Sequence, residues 1–178
     1  MSQCISNEEL MTCPFCNELE MKERTFYKTK DWRVLLAAPF HVPGHTILAA
    51  MPKNGCPKRF TQECLAGFDS ILPKVDNVLK SKYKYNRLAV CSARAIQPHI
   101  HFHLIPVYEE SENEWRRRLG YKKGHLLEYL GYLESIGDAY WQSMKAVPGA
   151  TDETERRKIE EFLSIDVKDL TNRINKLD

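Results

Sequence analysis

Three extended segments, a long helix-patterned segment and two further extended segments, in that order, predict an α+β domain. The expected architecture is a mostly antiparallel sheet of about five strands with helices packed on it, continued by a helical C-terminal extension. Three observations carry this. Short apolar or alternating runs bounded by turn residues fall in 25–51 and 87–107, apolar residues recur at helical spacing over 61–82, and the chain turns charged and helix-patterned beyond Tyr108.

Taken in order, Thr25–Thr29, Arg33–Ala38 and His45–Met51 read as strands, punctuated by Lys30-Asp31, Pro43-Gly44 and Pro52-Lys53-Asn54-Gly55. From Thr61 to about Lys82, Leu65, Phe68, Leu72, Val75 and Leu79 form one helical face, with Thr61 as N-cap. Pro73 inside that stretch predicts a kink or a division. Strands Arg87–Cys91 and His99–Val107 follow. The tail offers two helices, His125–Ala146 and Thr151–Lys176, the second with Glu153 and Glu155 at its positive N-terminal end. The expected division is a body over 1–108, with its N-terminal segment carrying Cys13 and Cys16, and an extension over 109–178.

The 178 residues, 43% hydrophobic, bury a sufficient core without disulfide staples. With 26 Lys+Arg against 24 Asp+Glu, the net charge of +2 gives no general affinity for nucleic acid or membranes. No apolar run approaches the ~20 residues of a spanning helix. The first residues lack the basic and apolar regions of a secretory signal, so six cysteines read as reduced thiols or metal thiolates in a cytoplasmic protein.

The densest chemical signal is His99-Ile100-His101-Phe102-His103-Leu104-Ile105. Alternate residues of a strand share a face, so His99, His101 and His103 point one way while Ile100, Phe102 and Leu104 point into a core. An exposed strand face more often carries Thr, Lys or Glu. Strand residues four apart are ~13 Å apart, so His99 and His103 do not share one ion without a bulge, although a neighbouring pair can. A third reading is a catalytic row, with a central nucleophile flanked by imidazoles that bind or orient.

This row resembles the histidine triad of the HIT superfamily of nucleotide hydrolases and transferases. Cys13-Pro14-Phe15-Cys16 is similar to the Cys-x-x-Cys of many members, and Pro43-Gly44-His45-Thr46-Ile47-Leu48 with Met51-Pro52-Lys53 is similar to their Gly-His strand. Leu104-Ile105-Pro106 matches the end of the triad strand, and the resemblance spans about Cys13 to Tyr108. It implies a HIT-like sheet and attack by His101 on a nucleotide α-phosphorus, giving a nucleotidyl-histidine. One ring nitrogen of His101 then rests on a backbone carbonyl. His103 contacts phosphoryl oxygens or the leaving group, and homodimerisation is the family's habit. Substrates of the class are dinucleoside polyphosphates and nucleoside phosphoramidates. The family's Gly-Gln-Ser/Thr stretch is represented by Arg94-Ala95-Ile96-Gln97-Pro98, with Gln97 as the substrate-binding substitute. Its ribose-binding acid is replaced by Ala37.

Cys13 and Cys16 have the spacing of zinc ligands or of a redox pair. Zinc-bearing HIT proteins add the first triad histidine, here His99, and a histidine that falls at Gly55. The adjacent Cys56 ligates in its place, with His41 or His45 as substitutes. The implied site is a structural Cys₃His zinc of Cys13, Cys16, Cys56 and His99. Cys64 and Cys91 read as buried apolar residues, His125 as solvated or capping, and Arg116-Arg117-Arg118 with Lys122-Lys123 as a solvated basic face or, in second place, a surface that reaches an anionic substrate. His41 and His45 read as structural, with a place facing the active site as the alternative. Two other readings stand beside the enzyme: a zinc-stabilised nucleotide-binding protein without turnover, and a metal-dependent hydrolase with His99 and His101 as ligands.

Overall fold

The structure, a computed structural model, describes residues 13–37, 43–53, 55–92, 98–109 and 164–177. Gln97, His41, His125, the basic cluster and the helix expected over 125–146 lie outside these residues. The elements are α1 (Glu18–Lys22), β1 (Thr25–Lys28), β2 (Trp32–Leu36), β3 (Thr46–Ala50), α2 (Phe68–Tyr83), β4 (Arg87–Cys91) and β5 (His101–Val107). Residues 164–174 form a further helix, α3, closed by a 3₁₀ turn at Asn175–Leu177.

The strands form one antiparallel sheet in the order β1-β2-β3-β5-β4. Helix α1 goes unpredicted because it is barely a turn long, yet Asn17 caps it: its side-chain oxygen accepts from the Leu19 N–H. The expected start of α2 at Thr61 is wrong. Residues 62–67 are turns, and Thr61 Oγ1 accepts from Cys64 N to cap that turn instead. Gly67, at φ +72°, takes the left-handed conformation that admits the helix. Pro73 therefore falls in the second turn of one undivided helix, rather than deep within a longer one.

Every residue of β2 and β3 is buried, because the sheet is covered on both faces. On one face Val34, Leu36, Leu48, Ala50, Ile100 and Leu104 meet Ile71, Val75, Val78 and Leu79 of α2. Leu170 and Ile174 of α3 are fully buried in this same core. On the other face Leu35, Ala37, Ile47 and Ala49 lie under Met21 and Phe15 of the N-terminal segment. Arg33, buried on that second face, ties the segment down through Glu18 (2.6 Å), which also receives Lys28 (2.7 Å).

No helix among the described residues is long and apolar enough to cross a membrane.

Candidate active site and metal centre

Strand β5 presents its histidines on the face covered by the N-terminal segment, opposite α2. Register fixes their neighbours: His101 lies across from Ala49, and His103 sits between Ile47 of β3 and Cys91 of β4. Ile100 and Leu104 point into the main core, with Phe102 packed against it, as the alternation requires. The solvent-face reading fails: His99 and His101 are buried, at 0% and 3% exposure.

His101 Nδ1 lies 2.7 Å from the carbonyl oxygen of His99. A carbonyl only accepts, so Nδ1 is the protonated nitrogen and the lone pair of the neutral ring sits on Nε2. The His101 ring packs against Phe15, with centroids 4.8 Å apart, and edge-on to His103 at 5.1 Å. His103 Nδ1 is hydrogen-bonded to His45 Nε2 at 3.0 Å. His45 is two residues from Ile47 and so shares its face, diagonal to His103, which is the pairing a known register reveals. Sequence reasoning set a place for His45 facing the active site behind a structural role, and passed over Phe15. His45 belongs to the histidine row and not to the cysteine cluster, which corrects its place as a substitute ligand.

The His99 side chain meets the cysteines of the N-terminal segment and Cys56. Its Nε2 lies 2.9 Å from Ala50 O, which assigns that nitrogen the proton and leaves Nδ1 as acceptor. Nδ1 faces the sulfurs of Cys13 (3.4 Å), Cys16 (3.5 Å) and Cys56 (3.4 Å). All four ligand atoms lie within 4.8 Å of one another. Tetrahedral zinc, with ~2.3 Å bonds to sulfur and ~2.05 Å to nitrogen, sets nitrogen and sulfur about 3.6 Å apart. Three thiols converging on a single lone pair exceed what one nitrogen can accept. The donor set thus fits a closed Cys₃His zinc. Burial pushes the Cys56 thiol up to about 11, helped by its hydrogen bond to Cys13, and raises Cys16 further. A dry thiol cluster of this kind holds its protons unless a cation displaces them.

His101 is outside the cluster, which removes the geometric basis for a shared His99–His101 ion among the described residues. Cys13 and Cys16 are not joined by a disulfide and face His99 together with Cys56, an arrangement suited to a cation rather than to a redox pair. Cys64 and Cys91 are half-buried rather than buried, and Cys91 lies on the histidine face. A hollow of about 510 Å³ near Tyr27, Asp31 and Lys74 lies on the α2 side, away from the histidines.

Among solved structures, the chain is similar to a Hit-like protein from Bartonella henselae described as involved in cell-cycle regulation. The two share 15% identity over 94% of this chain and 98% of that chain, with a TM-score of 0.53. This chain has the HIT-like fold. Also similar are a HIT family protein from Bacillus anthracis (23% identity, 74% of this chain, 96% of that chain, TM-score 0.48) and a Zn-bound histidine triad family protein from Mycobacterium smegmatis (17%, 75%, 99%, 0.46). No protein-family model and no curated protein matches the sequence. The HIT-like sheet accounts for the five-stranded antiparallel order and for the place of β5 between β3 and β4.

Proposed function

We propose that this protein is a nucleotide hydrolase or nucleotidyl transferase that works through a covalent nucleotidyl-histidine on His101. The observation that carries the reading is the 2.7 Å contact of His101 Nδ1 with the His99 carbonyl, which puts the nucleophilic lone pair on Nε2 at neutral pH. Nε2 attacks the α-phosphorus, a nitrogen–phosphorus bond forms, and the bond from phosphorus to the leaving group breaks. The leaving group departs with its electron pair and takes up a proton. Water or another acceptor then cleaves the nitrogen–phosphorus bond and returns the imidazole.

His103, 5.1 Å from His101 between ring centroids, is the group proposed to contact a phosphoryl oxygen or the leaving group, and its ring is held by the hydrogen bond to His45. Gln97, on the stretch before β5, is the side chain proposed to bind substrate. Phosphoanhydrides such as dinucleoside polyphosphates, and nucleoside phosphoramidates, are the substrate classes. Cys13, Cys16, Cys56 and His99 would hold a structural zinc, whose chemistry is to bind the N-terminal segment to the sheet as a closed, four-ligand crosslink. We further propose a homodimer in the cytoplasm.

The test is incubation with a panel of adenylylated substrates, quenching and mass spectrometry of the full chain. One nucleotidyl group on wild type and none on His101→Ala is expected. An adduct that survives His101→Ala sinks the reading. The second reading, a nucleotide-binding protein without turnover, draws on Ala37: it lies in the apolar cluster of the histidine face and offers no carboxylate to ribose hydroxyls. Saturable nucleotide binding with neither adduct nor product would select it.

A further inference from the structure

His45 is held against His103 by parts of the chain remote in sequence. It follows Gly44, whose φ is +78° and whose Cα lies hard against the ring of Tyr83, the last residue of α2. A Cβ at Gly44 would sit 2.6 Å from Tyr83 Cδ2 and 2.9 Å from Cε2, so no larger residue fits between turn and ring. The ring itself is oriented at its far end: Tyr83 Oη donates to Asp166 of α3, which also pairs with Lys82 at 3.0 Å. The preceding residue of the turn is fixed separately, since Tyr108 Oη donates to Pro43 O at 2.8 Å. Beyond the turn, Thr46 Oγ1 donates to Gly44 O at 3.0 Å, and His45 O accepts from Ala37 N at 2.9 Å.

We infer that Tyr83 is a positioning residue for the histidine face: its ring, oriented by Asp166 of the C-terminal helix, forms the wall against which the Pro43-Gly44 turn seats, and that seating sets the His45 imidazole at hydrogen-bond distance from His103. The inference rests on the reading of His103 as a group that touches the transferring phosphoryl. Asp166 brings α3, which begins 57 residues beyond the end of the triad strand, into contact with the ring that seats the turn. Removing the ring opens a void beside Gly44, where the left-handed turn can relax. A displacement of about an ångström at a phosphoryl-contacting group costs rate rather than binding, up to ~10²-fold.

The experiment compares wild type, Tyr83→Ala and Tyr83→Phe as metal-replete full chains. Long-range ¹H–¹⁵N spectra report the tautomers of His45 and His103, and steady-state kinetics use a fluorogenic adenosine phosphoramidate. Tyr83→Ala is expected to shift both imidazole signal sets towards exchanging tautomers and to lower kcat at least tenfold, with KM within about threefold. Tyr83→Phe keeps the ring and is expected to recover most of kcat and the wild-type tautomers. Imidazole signals and kcat unchanged in Tyr83→Ala overturn the inference, as does a change that Tyr83→Phe shares in full. If Tyr83→Ala does not fold by circular dichroism, Tyr83→Leu takes its place with the same expectations. Should wild type not turn over the probe, the functional reading fails by itself, and the imidazole spectra still decide the role of Tyr83.

Discussion

Replacing Cys56 with Ala tests the metal centre most directly, because Cys56 comes from a part of the chain remote from the Cys13 and Cys16 pair and meets the same histidine. Its sulfur is 3.4 Å from His99 Nδ1, within a four-atom set that spans at most 4.8 Å. A metal that binds only the folded chain stabilises it by about 2.7 kcal/mol when free zinc is 100 times Kd. Loss of a direct ligand is expected to weaken binding at least as much as the ~100-fold upper range for loss of an outer partner. At the same free zinc the gain then falls to about 0.4 kcal/mol. The difference, about 2.3 kcal/mol, is a drop of roughly 5–9 °C in Tm for a chain of this length. The assay is metal content per chain by elemental analysis, with thermal unfolding at buffered free zinc. Wild type should carry one zinc and Cys56→Ala little or none. Full zinc in the variant with an unchanged Tm, or a wild type that neither carries zinc nor responds to it, refutes the argument.

Other substitutions probe the rest of the fold. Asp169 is held below the usual carboxylate range by its hydrogen bond to Lys82, with Arg173 adding, while burial opposes this. A depressed folded pKa contributes stability above the unfolded value and loses it as pH falls through the folded one. The Tm gap between wild type and Asp169→Asn should therefore be open at neutral pH and close below about pH 4. Burial works against the charge of Lys82, but hydrogen bonds to Asp169 and Asp166 prevail and raise its pKa, so that contribution fades only as pH rises beyond the ordinary lysine range. Leu170→Ala removes a fully buried side chain of α3 and should cost about 2–5 kcal/mol by urea unfolding, with under ~1 kcal/mol contradicting its place in the core. His99→Cys should retain zinc as a Cys₄ set and leave the backbone carbonyl beside His101, so adduct formation should persist. An adduct lost while zinc stays bound would assign the His99 imidazole a further role.

The sheet was legible because its strands carry short periods and its turns carry glycine and proline; observed ends differ from the expected ones by one or two residues. The faces of the histidine strand followed from period two alone. The N-terminus of α2 was not legible, since Leu65 continues the helical spacing while Gly67 breaks the backbone, and periodicity does not register a left-handed φ. The uniform burial of Trp32–Leu36 needs two covered faces, and nothing local in the sequence says that Phe15 and Met21 supply the second. Cys13, Cys16, Cys56 and His99 came together as the motif spacing and the resemblance implied. The His45–His103 hydrogen bond was not legible because it depends on register, nor was the contact of Tyr83, at the end of α2, with a turn 39 residues earlier.

His99 connects the two halves of the site and explains why they share one strand. Its side chain faces three thiols, while its own carbonyl takes the Nδ1 proton of His101 two residues on. Phe15 lies between Cys13 and Cys16 in sequence and packs on both His99 and His101, at 5.3 and 4.8 Å. Whatever fixes the thiols therefore fixes the carbonyl that sets the tautomer of His101 and the ring that walls it. Met21 and Phe15 pack the N-terminal segment on the sheet and the Glu18–Arg33 pair ties it down. A zinc crosslink at Cys13 and Cys16 would add to these ties. A chelator is expected to lower turnover by loosening Phe15 and the His99 backbone, and the loss should track the order of the N-terminal segment. Without chelator, His99→Cys, which keeps both crosslink and carbonyl, should turn over much as wild type, whereas a catalytic ion held by His99 would not allow that.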